Sequence, residues 1–298
     1  MPTEPLSLEP PVSTLRLVEH LRNLGYAGRA ARDLLETGKV LYGGVPTADS
    51  GREVDPERVM IKLGAPRLRP NRDIAVIFHD RHLAVVFKPP GMLAVETVGR
   101  HREPSVVGMV RKLFGAAFVV HRLDEPTSGL MMVALTESCQ RQIKEILFRH
   151  AVDRVYWAIV RGIFPVAPVT VVSKLVRNRG DGLRGSDEEA EDTNAKEAIT
   201  HFELIEHLGP HASLVQAKLE TGRTHQVRIH LSERGYPILG DRLYGTPGVG
   251  RAAARLALHA AELGLRHPVT GESLHFQAAL ADDLEQMRRR LCHRAAPP

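Results

Sequence analysis

Only two cysteines, Cys139 and Cys292, occur in the 298 residues of this chain. Two thiols cannot make a disulfide framework or a four-thiolate metal site, and such sparing use fits a protein of the reducing cytoplasm. HExxH and CxxC patterns are missing as well. The fifteen histidines are scattered, and the pair four apart, His207 and His211, is split by the helix-breaking Gly209 and Pro210. No metal site is expected. There is no run of about 18 apolar residues, which excludes a membrane-spanning helix. The first residues, MPTEPLSLEPPV, are rich in proline and carry acids but no apolar segment. They are expected to form a disordered tail over 1–12 rather than a signal peptide.

What is present is an ordinary core and a mild positive charge. Apolar residues make up 43% of the chain, and its length suits one large domain, or a large one with a small companion. The formal net charge is +5, which permits a polyanionic partner. Residues 14–72 hold eleven Lys/Arg against seven acids, so most of the excess lies in one-fifth of the chain. A surplus of this size reads equally as a solvated surface.

In that first fifth, Ser13 or Thr14 is positioned to cap a helix with Leu17, Val18, Leu21 and Leu24 at helical spacing and Gly25 as a stop. A second helix is predicted from about Arg29 to Thr37, with Ala30, Leu34 and Leu35 inward. Residues 39–42 then read as a strand, Gly43-Gly44 as a hairpin turn, and Val45 and 59–61 as further strands. Two short helices and a Gly-turned hairpin, in GRAARDLLETGKV and LYGGVPTADSGREVDPERV, resemble the ribosomal-protein S-four type of RNA-binding domain. That resemblance covers about 14–63, which places a domain at 13–65, and implies that Arg29, Arg32 and Lys39 face RNA phosphate, contacts that give affinity more than sequence reading. Residues 66–72, within the Pro- and Arg-rich GAPRLRPNR, read as a linker.

The densest stretch follows in 121–130, HRLDEPTSGL. Apolar residues 118–120 and 130–135 bracket it, the pattern of two buried strands joined by a loop. Strands hold such loops rigid, and chemistry often sits on them. Asp124 lies two residues after Arg122 and three after His121. Thr127, Ser128 and Gly129 suit a tight turn whose backbone can approach a ligand. Taken alone, the stretch reads equally as an Arg–Asp pair that ties a hairpin.

Around it, strands are predicted at 73–78 and 83–87. A Ser105-capped helix runs to about Phe114, and a Thr136-capped helix to about Arg149. On a strand over 153–161, Arg154, Tyr156 and Ala158 point one way. Residues 176–195 read as a mobile loop with an acidic patch at 187–192, and strands resume at 199–205 and 214–219. In LETGRTHQVRIHL, Thr224 is positioned to cap a helix that carries Arg228 one turn on, where it and the free helix amides can hold a carboxylate or phosphate. Residues 247–250 read as a loop, 256–260 and 274–276 as late apolar segments, and 286–298 as a basic tail.

HRLDEPTSGL, RVYWAIVRG, LETGRTHQVRIHL, PILGDRLYG and LALHAAELGLRHPVTGE, in that order and preceded by KPPGMLAV, resemble the RluA family of pseudouridine synthases over 73–285. The resemblance implies an α+β fold with a large mixed, mainly antiparallel sheet flanked by helices, beside the small N-terminal α+β domain. It implies an RNA uridine isomerase: the bond from uracil nitrogen 1 to the sugar breaks, the base turns, and carbon 5 is joined to the sugar. Asp124 falls on the family's essential aspartate, acting as nucleophile on sugar or base, or as a base. Arg228 would pair with it, Arg223 being the second candidate. Tyr156 would stack on the uracil and handle the carbon 5 proton, Leu258 would pack on the base's other face, and Arg122 would fill the space the uridine leaves. His121 and Thr127, in the same loop, join the expected substrate-binding set. No cofactor is implied. Ribosomal RNA is the expected partner, with transfer RNA and a non-catalytic ribosome-assembly factor as alternatives, and a monomer is expected. A carboxylate beside arginine suits covalent or base chemistry. Glycoside hydrolysis would need a second, facing carboxyl, which adjacency in sequence does not make of Glu125.

Overall fold

The computed structural model of the protein describes residues 14–43, 45–47, 49–63, 73–97, 103–186 and 195–293. The expected tail over 1–12, the linker over 66–72, Gly44 of the hairpin turn and the acidic patch at 187–192 lie outside them.

The N-terminal unit comprises β1 (Leu15–Arg16), α1 (Leu17–Asn23), α2 (Arg29–Glu36), β2 (Val40–Tyr42), β3 (Val45–Pro46), β4 (Glu53–Val54) and β5 (Val59–Ile61). It has a core of its own, built from Leu17, Leu21, Ala31, Leu34, Leu35, Val40 and Val54. Two expectations are corrected here. Ala31, not Ala30, faces that core, and Leu24 is 50% exposed beyond the end of α1. A side-chain cap is not what starts α1: Arg16 occupies the cap position while β1 pairs with β4.

The large unit runs β6 (Ala75–His79), β7 (Leu83–Lys88), α3 (Val106–Phe114), β8 (Phe118–Val119), β9 (Ser128–Ala134), α4 (Glu137–Phe148), β10 (Val152–Arg161), β11 (Val169–Val176), β12 (Gly185–Ser186), β13 (Lys196–His207), β14 (Ala212–Leu219), α5 (Gln226–Glu233), α6 (Pro247–Arg251), β15 (Leu258–Arg266), β16 (Ser273–Gln277) and α7 (Asp282–His293). Its eleven strands form one sheet, ordered β12-β11-β13-β14-β10-β15-β9-β7-β6, with β16 on β15 and β8 on β9. Among the described residues only the β9–β15 strand pair is parallel, so the sheet is mixed and mainly antiparallel. Ser105 and Thr136 cap their helices as their sequence positions suggest, accepting from the Gly108 amide at 3.0 Å and the Cys139 amide at 3.2 Å.

Three segments depart from the sequence expectations. Pro247 opens the short helix α6 where a loop was predicted, its fixed φ suiting a first helical turn. In the described part of the predicted mobile loop, Gly185–Ser186 pairs with Leu175–Val176, and the Asn178 side chain accepts from the amides of Gly180 and Gly182. Residues 286–293 of the predicted basic tail belong to the last helix, and 294–298 lie outside the described residues. Arg288 pairs there with Glu206 at 2.7 Å and Glu285 at 3.0 Å, and Arg289 with Asp49 at 3.1 Å. That helix also anchors the N-terminal unit. Arg52, 4% exposed, pairs with Asp282 at 2.7 Å and donates to the Leu280 carbonyl at 2.8 Å.

One row of residues crosses four adjacent strands and sets the site. Tyr156 on β10 is in register with Ala260 on β15, Ala260 with Gly129 on β9, and Gly129 with Lys88 on β7. Gly129 has φ +119°, and a side chain there would strike the Ala260 backbone. Only glycine allows that close parallel approach.

Two fully buried histidines brace this region. His259 shares a hydrogen bond with Ser128 at 2.9 Å, and His230 bonds Thr200 at 2.9 Å and Ser173 at 3.0 Å. Burial pushes His259 down to about 3 and His230 down to about 4. Below about pH 6.5 the unfolded chain protonates both rings and the folded chain does not, so stability falls as pH falls from about 6.5 toward 4. Two rings give a slope of up to about 3 kcal/mol per pH unit. Denaturant melts at pH 7, 6 and 5 check this, and a flat profile would show the rings charged in the native state.

Candidate active site

Asp124 sits in the loop between β8 and β9, and the loop is held from behind by two cations. Lys88 is fully buried, and its Nζ donates to three carbonyl oxygens: Thr127 at 2.7 Å, Glu125 at 2.8 Å and Pro89 at 3.0 Å. Burial, and next the Arg255 charge, push this amine down to about 7, while three acceptors around one ammonium favour the charged form. Arg255 donates to the Pro126 carbonyl at 3.3 Å and to the Ser128 hydroxyl at 3.1 Å, and is itself clamped by Asp283 at 2.6 Å. A turn closed by the Thr127 amide on the Asp124 carbonyl, at 3.0 Å, completes the loop. Its conformation is thus fixed by its backbone, leaving the Asp124 side chain to face the cavity.

From the other side comes α5, buried along nearly its whole length. Gln226 staples its start: its Oε1 accepts from the Arg223 amide and the Thr221 hydroxyl, and its Nε2 donates to the Ile199 carbonyl. His225, not Thr224, takes the cap position, with φ +61° and no side-chain cap bond. Arg228 then reaches Asp124, its Nη1 lying 2.8 Å from Oδ2. The rest of that guanidinium belongs to Asp241, with Nε to Oδ2 and Nη2 to Oδ1 both at 2.9 Å. Asp241 is 1% exposed and also accepts from the amides of Leu243 and Tyr244. Burial works to raise its pKa, but Arg228 and the two amides outweigh it and hold the carboxyl below its ordinary range. The ring of contacts closes through Tyr244. Its face lies 5.2 Å from the Arg228 guanidinium, and its hydroxyl shares a 2.9 Å hydrogen bond with Nδ1 of His225. Nε2 of His225 then faces Asp124 Oδ2 at 3.7 Å. Burial first, and the Arg228 charge, keep His225 below the usual histidine range against the pull of Asp124.

Both contacts fall on Oδ2, so among the described residues Oδ1 of Asp124 accepts no hydrogen bond. The carboxylate stands in a cavity of about 910 Å³, which Tyr156, Arg122, His121, Arg223 and Arg154 also line. Burial raises Tyr156 above the ordinary phenol range, Arg154 opposing and the Asp124 charge adding to it, so its hydroxyl stays protonated at neutral pH. Nε2 of His121 accepts from the Met132 amide at 2.9 Å, continuing the edge contact that β8 begins on β9. Burial and Arg154 push His121 down to about 4, so it is neutral.

The geometry separates the expected residues. Arg228 rather than Arg223 holds Asp124. Arg223 spends its Nε on the Glu197 carbonyl at 2.8 Å while still lining the cavity. Arg122 is exposed at the cavity wall and makes no ion pair with Asp124 among the described residues. Thr127 is 1% exposed and outside the cavity lining, because the turn aims its hydroxyl inward. Leu258 is also outside the lining. It lies on the same sheet face as Tyr156, diagonal to it across the β10–β15 pair, and is 5% exposed within the core. In the N-terminal unit Arg29 and Arg32 are exposed one turn apart on α2, and Lys39 is half-buried. Lys88, Arg255, His225, Asp241 and Tyr244 were not singled out from the sequence. The compact LGDRLYG was the one available hint, pairing an acid with an aromatic in a turn. Among the described residues no group of three or more His, Cys, Asp or Glu is placed to hold a metal ion, and no helix is long and apolar enough to cross a membrane.

Comparison with known proteins gives this arrangement its context. Residues 82–233 match the family model for RNA pseudouridylate synthase. The chain is 33% identical to a ribosomal large subunit pseudouridine synthase D of Zymomonas mobilis, across 98% of each. It is 35% identical to the dual-specificity RNA pseudouridine synthase RluA of Haemophilus influenzae, over 72% of this chain and 95% of that one. Among solved structures, human RNA Pseudouridylate Synthase Domain Containing 1 superposes with a TM-score of 0.57 at 26% identity, over 76% of this chain and 96% of that one. With its eleven-stranded sheet, its matched segment running from β7 to α5, and relatives along its whole length, the chain belongs to the RluA family of RNA pseudouridine synthases.

Proposed function

We propose that this protein isomerises uridines to pseudouridine in ribosomal RNA, with Asp124 as the catalytic carboxylate. One observation carries the reading: a single carboxylate, braced through its backbone and pinned at Oδ2 by Arg228, presents a free Oδ1 to a cavity that also holds the protonated hydroxyl of Tyr156. Fixing one oxygen orients the other, and a reacting group held in place needs little reorganisation in the transition state. Tyr156 offers a ring for stacking, and its hydroxyl oxygen relays the carbon 5 proton, accepting it while passing its own to solvent. Arg122, exposed beside Asp124, fills the place of the departing uridine. Flipping a base costs a few kcal/mol, least in a loop or mismatch, so the target is a uridine in structured RNA.

Ribosomal RNA is favoured over transfer RNA because the relative aligned along 98% of this chain is named for the ribosomal large subunit, whereas the dual-specificity relative aligns with 72% of it. Arg29, Arg32 and Lys39 serve as phosphate contacts outside the catalytic cavity. A monomer is the state we assign to it, and the ribosomal substrate suits the cytoplasm.

Tritium release from RNA labelled at uracil carbon 5 tests the reading. RNA binding without release would mean an idle assembly factor, and release of free uracil would mean a hydrolase. The N-terminal contacts have their own test. Replacing Arg29 and Arg32 with alanine lowers the log–log salt slope of RNA binding by roughly 0.7–0.9 per lost phosphate contact, with thermal stability unchanged. An unchanged slope removes these arginines from the RNA interface.

A further inference from the structure

The cavity is larger than one base requires. Its volume of about 910 Å³ is near the top of the range of small-ligand pockets, about 300–1,000 Å³. Beyond Asp124 and Tyr156 it continues along α4, where Gln140, Lys144 and Phe148 follow one another at four-residue spacing on one helix face. Phe148 ends that helix and is 79% exposed, the most exposed large apolar side chain of the described residues. An aromatic ring so placed is neither core nor cap. The facing wall supplies cations. Arg154 is about nine-tenths buried; it donates to the Glu220 carbonyl at 2.9 Å, and its Nε has no partner among the described residues. Arg223 stands beside it. His150, with φ +57°, shares a 2.8 Å hydrogen bond with the same Glu220 carbonyl, tying the end of α4 to the Glu220–Arg223 turn. The nearby acid on α4, Glu145, is turned to Arg149 at 2.7 Å and does not line the cavity.

An exposed ring at the mouth of a cation-lined groove is the arrangement that binds single-stranded nucleic acid: bases stack on the aromatic and the groove follows the backbone. We infer that Phe148, with Lys144, Arg154 and Arg223, forms a subsite for the nucleotide next to the target uridine in the RNA strand. Phe148 stacks the neighbour's base, and the three cations hold the phosphate between the two nucleotides. The inference rests on the reading of the chain as an RNA enzyme. It adds that the flanking base is also unstacked and held, so the substrate is gripped at two successive positions.

The test uses the shortest stem-loop from which the wild-type protein releases tritium, with binding measured in the inactive Asp124→Asn background. Phe148→Ala raises Kd for that stem-loop by roughly 5- to 150-fold, the effect of one lost base–aromatic stack, and Phe148→Trp retains tight binding. An abasic residue at one flank of the target weakens the parent to a similar degree but leaves Phe148→Ala almost unaffected, because the partner it would lose is already gone. Equal Kd for the parent and Phe148→Ala, or an abasic penalty that is the same in both at either flank, overturns the subsite. Absence of tritium release from every cellular RNA pool by the wild-type protein overturns the RNA reading beneath it.

Discussion

Asp124→Asn abolishes tritium release while the protein stays folded. The rate falls by at least about 10²–10⁴-fold, the span lost with a general base alone, and further if the carboxylate forms a covalent bond. The folded state is protected because Arg228 does not depend on Asp124 for neutralisation: two of its nitrogens are bonded to Asp241. An asparagine oxygen can still accept from Nη1, so the stability cost stays within about 1–2 kcal/mol. Thermal melts and RNA binding on the same preparation separate lost chemistry from lost structure. Retained tritium release in this variant would remove Asp124 from the reaction.

The position of this aspartate was legible because its neighbours are unambiguous. Apolar residues on both sides of 121–130 read as buried strands, and β8, half-buried, and β9, fully buried, are those strands. The helical position of Arg228 was legible too; its partner, 104 residues away, was legible only through the family resemblance, and the structure brings the two to 2.8 Å. Less visible still were the groups that fix the loop. Lys88 and Arg255 act on backbone carbonyls, and a carbonyl leaves no trace in residue type. His225 at the start of α5 has a left-handed backbone, so a plausible Thr224 cap gave way to a conformation that the sequence does not announce. Thr127 differs: its hydroxyl suggested a ligand contact, but one turn decides which way it faces, and here it is buried outside the cavity lining. In the N-terminal unit the helices were evident, but on such short helices one residue of phase decides whether Ala30 or Ala31 is inside. Arg288 and Arg289 looked like a solvated charge run. Glu206 and Asp49, distant in sequence, turn them into a helix that joins the two units.

Asp241→Ala should be the most damaging single change for folding near the site, and its effect on chemistry should be separable from that damage. The residue is 1% exposed, and removing it leaves the 7%-exposed Arg228 with Asp124 alone. Breaking a buried ion pair from one side costs about 3–5 kcal/mol, because the charge left behind is desolvated without compensation. For a chain of this size that corresponds to a fall in Tm of roughly 6–20 °C. Freed from its bidentate clamp, Arg228 no longer holds Oδ2 of Asp124 in one place, so tritium release falls as well. The double variant Arg228→Met with Asp241→Leu separates the two effects. Replacing both members of a buried pair with apolar residues is often neutral for stability. Stability should therefore return toward that of the wild type, while activity stays low because nothing orients Asp124. If activity returned with stability, Asp241 would matter only as a fold element and the pinning of Oδ2 would have no part in the reaction. If activity stays low at restored stability, the Asp241–Arg228 pair serves to aim the catalytic carboxylate.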